Sequence, residues 1–90
     1  MAEYRIAETD TFRRKIGNPA FRGLYRKITE YVYPVLRENP WFGPQIKRLK
    51  GEFKNVLRFR IGDYRLFYIV REREVLVLIL DIEHRKDAYR

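Results

Sequence analysis

One dipeptide constrains this chain more than any other. Gly62-Asp63 separates two runs of alternating character, Leu57-Arg-Phe-Arg-Ile61 and Tyr64-Arg-Leu-Phe-Tyr-Ile-Val70. A two-residue loop with glycine first suits a type II′ or I′ hairpin turn. If Ile61 and Tyr64 close it, Arg60 lies opposite Arg65, Phe59 opposite Leu66 and Arg58 opposite Phe67. Period-two alternation then assigns Leu57, Phe59, Ile61, Tyr64, Leu66, Tyr68 and Val70 to a core face. The other face takes Lys54, Arg58, Arg60 and Arg65, with Phe67 and Ile69 further along. Like charges directly opposite each other destabilise a sheet. A single exposed arginine reads as solvated surface, but converging arginines are what an anion site uses. The inference depends on register, because a slip of one residue sends every arginine to the opposite face.

The charge balance fits an anionic partner. Lys and Arg number 20 against 12 Asp and Glu, a net charge of +8, and Pro44 to Arg73 alone contribute nine basic and three acidic residues, or +6. Nucleic acid is favoured over a membrane surface, since no basic amphipathic helix stands apart from the core. Cysteine is absent, which excludes disulfides and thiolate metal sites. The opening Met-Ala-Glu-Tyr-Arg lacks the apolar stretch of a signal peptide, and the longest apolar run is Val75 to Leu80. A soluble, cytoplasmic protein is expected, and a chain of 90 residues suits one domain over 1–90.

Tyr4-Arg-Ile6 alternates like a short strand. Thr9 caps a helix opening at Asp10, with Phe12 and Ile16 on one face and Gly17 at its end. Asn18-Pro19 starts a second helix, in which Phe21, Leu24, Tyr25, Ile28, Val32 and Val35 keep helical spacing; Pro34 should kink or end it. Asn39 to Pro44 reads as a loop, with Trp41 and Phe42 anchoring it to the core in preference to stacking on bases. Three strands follow, roughly Lys54 to Ile61, Tyr64 to Arg71 and Val75 to Ile82. The last is apolar on both faces and belongs inside the sheet. The fold class is α+β, a small antiparallel sheet with two N-terminal helices packed on one face, in the order β-α-α-β-β-β.

Leu49-Lys-Gly, then Leu57 to Tyr68, an apolar strand and the ending His84-Arg-Lys-Asp-Ala-Tyr89 resemble the toxins of the RelE/ParE superfamily, members of type II toxin–antitoxin pairs. The RelE-like branch implies a ribosome-dependent endoribonuclease, with messenger RNA cut in the A site by attack of the ribose 2′-hydroxyl on the adjacent phosphate. Its partners would be the ribosome, messenger RNA and a cognate antitoxin, with no cofactor and no metal. By position, the resemblance implies that Arg58 and Arg60 match two basic residues before the turn and that Arg65 supports the transition state. Arg85 would protonate or stabilise the leaving group, and Tyr89 would stack on or orient the substrate. Lys54, Phe67 and Lys86 complete the expected substrate-binding set.

RelE itself has lysines where this chain has Arg58 and Arg60. A guanidinium does not give up its proton in proteins, so neither arginine serves as general base. Lys54, Tyr89, His84 and Glu52 are the candidates, and His84 alone has an ordinary pKa near neutrality; the plain alternative is a tail histidine without a role. Two other functions compete. The ParE-like branch shares the fold but poisons DNA gyrase through protein binding, and a basic RNA-binding module without catalysis is the third reading.

Overall fold

A computed structural model describes residues 3–84 of the chain. Strand β1 (Arg5–Glu8) leads into helix α1 (Asp10–Ile16) through Thr9, whose hydroxyl serves both elements. Its oxygen accepts from the Phe12 amide at 3.2 Å and its O–H donates to the Leu80 carbonyl at 2.8 Å. Asn18 then caps a 3-10 turn, Pro19–Phe21, with its side-chain oxygen on the Ala20 amide, so both capping expectations are met.

The long helical segment runs as α2 (Arg22–Lys27), a π turn (Ile28–Val32) and α3 (Tyr33–Glu38). Pro34 neither ends the segment nor sits in its interior ladder, because the wider turn just before it places it in the first turn of α3. That extra width also rotates the residues beyond it. Val35, expected in the core, is largely exposed, while Tyr33 and Leu36 are buried.

Among the described residues the sheet has five strands, in the order β1-β5-β4-β3-β2. Beyond β1 these are β2 (Ile46–Arg48), β3 (Leu57–Ile61), β4 (Tyr64–Arg71) and β5 (Leu76–His84). Three pairings are antiparallel, and β1 joins β5 in parallel, so the small sheet is mixed. As expected, the apolar strand is interior. The short β2 was not among the strands expected from sequence, and β3 begins at Leu57 instead of Lys54. Gly51, at φ +72, opens a 3-10 turn through Phe53 that uses up residues 51–56 before the strand starts.

The hairpin has the expected register, with Arg60 opposite Arg65, Phe59 opposite Leu66 and Arg58 opposite Phe67. Gly62 takes φ +56 while Asp63 stays out of the left-handed region, the sign pattern of a type II′ turn. Leu57, Phe59, Ile61, Leu66 and Tyr68 are buried with Val77, Ile79 and Ile82 beneath Phe12, Ile16, Ile28, Val32, Tyr33 and Leu36 of the helices. Tyr68 is fully buried, and its hydroxyl donates to the Pro40 carbonyl at 2.8 Å. The 39–44 loop is anchored through Pro40 and Trp41, whose indole N–H donates to Glu72 at 2.8 Å; Phe42 is 79% exposed and anchors nothing.

Candidate functional site

Helices cover one face of the sheet, and the opposite face gathers the cations. Two rows of cross-strand neighbours run across it. Lys47, Arg58 and Phe67 form one, and Arg60, Arg65 and Glu83 form the next. Neighbours in such rows have Cβ atoms about 5 Å apart, within reach of one phosphate group. Between the rows and the chain beyond β2 lies an open groove of about 420 Å³, lined by Lys47, Arg48, Leu49, Lys50, Arg58, Arg65, Phe67 and Glu83. Among the described residues, five cations and one carboxylate give this lining a net charge of +4.

Arg58 and Arg65 are not loose surface side chains. Both are half-buried, and Nε of Arg58 and Nη1 of Arg65 are shielded from solvent. A guanidinium held against a sheet surface is ordered before an anion arrives, which lessens the reorganisation that binding would otherwise require. Arg60, opposite Arg65, is exposed and does not line the groove. The groove thus combines fixed cations with the half-buried ring of Phe67, chemistry suited to a phosphate backbone bearing a base or sugar beside it.

The site expected from sequence is brought together in part. Arg58, Arg65 and Phe67 converge, with Arg60 adjoining. Lys54 stands on the turn before β3, exposed and outside the lining, and Glu52 is exposed in the same turn. His84 lies across from Tyr64 on the helix-covered side, edge-on to its ring at 5.0 Å, and therefore faces away from the arginines. Arg85, Lys86 and Tyr89 lie outside the described residues. Lys47, Arg48 and Glu83 are groove residues that the sequence reading did not single out, while Lys50 entered it only within the Leu49-Lys-Gly stretch. Lys47, Arg48 and Lys50 also belong to the strongly basic Pro44–Arg73 segment.

Glu83 reaches the groove through a register shift. From the Arg71–Leu76 end, partners proceed regularly to Tyr68 opposite Ile79, then jump so that Phe67 meets Asp81. The extra residue, Leu80, is a β-bulge. Without it, Asp81 would face the core beside Leu66 and Glu83 would fall on the side of Tyr64. With it, Ile82 enters the core, Glu83 meets Arg65, and Asp81 is left to pair with Lys15 of α1 at 2.8 Å.

Residues 36–89 match the family described as the ParE toxin of type II toxin–antitoxin systems. Toxin RelG of Mycobacterium tuberculosis is 30% identical over 87 residues, covering 97% of both chains. Among solved structures, a chain of the RelBE2 toxin–antitoxin complex of M. tuberculosis superposes with a TM-score of 0.79 at 28% identity, covering 94% of each chain. The archaeal RelE–RelB complex of Pyrococcus horikoshii gives 0.70 at 24% identity, covering 92% of this chain and 96% of that one, a likeness of fold alone. The hairpin of arginines and the mixed sheet beneath it therefore have a family: the chain belongs to the RelE/ParE superfamily of type II toxin–antitoxin toxins.

Proposed function

We propose that this toxin is a ribosome-dependent endoribonuclease that cuts messenger RNA in the A site, the 2′-hydroxyl of one nucleotide attacking the phosphate that follows it. The observation that carries the reading is the convergence of Arg58, Arg65 and Phe67 in one cationic groove on the open face of the sheet. In-line attack at phosphorus builds charge on the equatorial oxygens, and preorganised guanidinium forks stabilise it. Arg65, central in its row, is assigned that task, with Arg58 and Arg60 holding the flanking phosphates. Arg85 and Tyr89 are assigned to the leaving group and to base stacking. The groove is open and dilute in proton acceptors, so the ribosome is needed to hold the hydroxyl in line.

The same cationic face suits an acidic antitoxin that folds on binding and occludes the arginines, with an affinity that falls as salt rises. The match to the ParE toxin description favours a second reading, in which the chain poisons gyrase through protein contacts.

Primer extension on a message translated in vitro with the purified chain separates these outcomes. New ends within the A-site codon are expected, and naked RNA should remain intact. Gyrase inhibition with an uncut message would instead establish the ParE-like reading. Translational arrest without new ends would leave a basic binding module.

A further inference from the structure

Cations stabilise the charge of phosphoryl transfer, but an arginine does not accept a proton from a hydroxyl. Among the described residues lining the groove, Glu83 is the only carboxylate. It is half-buried on β5, directly across from Arg65, and the Leu80 bulge brings it there. Resting on the nuclease reading above, we propose that Glu83 is the general base of the cleavage, accepting the proton of the attacking ribose 2′-hydroxyl.

In the reaction so assigned, Glu83 takes the 2′-O–H proton as the bond from O2′ to phosphorus forms. The bond from phosphorus to O5′ breaks, and the leaving oxygen takes up a proton from water. Glu83 then returns its proton to solvent, so one proton is removed and one supplied, and a 2′,3′-cyclic phosphate and a 5′-hydroxyl remain. Arg65 is adjacent in the same row and faces the phosphate oxygens while Glu83 faces the hydroxyl. Arg58 from β3 and Lys47, Arg48 and Lys50 from β2 and the chain after it bring further positive charge to the groove. Asp81, two residues back on the same strand, is engaged by Lys15 of α1. His84 faces the other side of the sheet.

The test is the pH dependence of single-turnover cleavage on programmed ribosomes for wild type, Glu83→Gln and Glu83→Asp, with thermal melting recorded for each. Wild type should lose rate toward acid pH, an acid limb that reports a base needed in its unprotonated form. Glu83→Gln should be about a hundredfold slower at neutral pH and keep accelerating with pH, as hydroxide replaces the missing base. Glu83→Asp should retain the acid limb at a reduced rate. A folded Glu83→Gln that cleaves at the wild-type rate with the acid limb intact overturns the assignment while leaving the nuclease reading in place. Should Glu83→Gln fail to fold, Glu83→Asp decides: a retained acid limb supports the role and a flat profile rejects it. A wild-type chain that leaves the message uncut overturns the nuclease reading and the role of Glu83 with it.

Discussion

The two faces of one sheet are built from the same strands and answer to different physics. On the helix-covered face, Leu57, Phe59, Leu66, Tyr68, Val77, Ile79 and Ile82 are buried. On the open face, alternate residues of β3 and β4 place Arg60 against Arg65 and bring Arg58 beside them. The first arrangement gains stability from apolar burial. The second gives some away, because like charges repel across the ladder. Such a conflict between local preference and fold marks a surface kept for binding or chemistry. Stability and activity should therefore separate by face, and substitutions on each side measure how cleanly.

The largest effect belongs to the covered face. Tyr68→Ala empties a fully buried aromatic site and removes the donor to Pro40, which should lower unfolding free energy by about 3–5 kcal/mol in chemical denaturation. On the open face, Arg65→Ala should reduce cleavage by about two orders of magnitude, measured on ribosome-bound message, with the melting temperature unchanged or slightly higher. Between them in character is Tyr68→Phe, which keeps the ring and leaves the Pro40 carbonyl without its donor. About 1–2 kcal/mol of stability should be lost, with cleavage at wild-type rate once folded. A smaller effect, about 1 kcal/mol, is expected for Thr9→Ala, which removes the cap of α1 and the link to Leu80.

Alkaline pH should weaken the covered face selectively. Burial raises the hydroxyl pKa of both Tyr33 and Tyr68, and the Tyr33 hydroxyl also donates to Glu8 at 2.7 Å. Each phenol is neutral in the folded chain at a pH where the unfolded chain ionises. Their contribution is complete below the ordinary tyrosine pKa of about 10 and is lost as pH rises beyond it. Unfolding free energy followed above pH 10 should fall, and Tyr68→Phe should make the decline shallower.

Much of this division was legible in the sequence because it rests on local rules. A glycine-first turn pins register, and register with period two sorts every residue from Leu57 to Val70 onto a face. Thr9 and Asn18 announced their caps by chemistry alone. What escaped notice depends on partners distant in sequence. The three residues of β2 follow Gly43-Pro44 and are a strand because β3 offers an edge, with the Arg60 amide donating to the Gln45 carbonyl at 2.9 Å. The π turn that moves Leu36 into the place expected for Val35 follows from Pro34 meeting a packed helix. The bulge at Leu80 was hidden in a run apolar on both faces, which offers no alternation to break, although the core residues Ile79 and Ile82 are three apart. That single unreadable shift turned His84 away from the arginines and Glu83 toward them.

The most direct test of the separation is one preparation of Arg58→Ala/Arg65→Ala measured twice, by thermal melting and by primer extension on translating ribosomes. The melting temperature should lie at or above that of the wild type, together with cleavage reduced at least a hundredfold. Cleavage at the wild-type rate by the folded double variant would contradict that separation, because the open face would then bear no part in the chemistry.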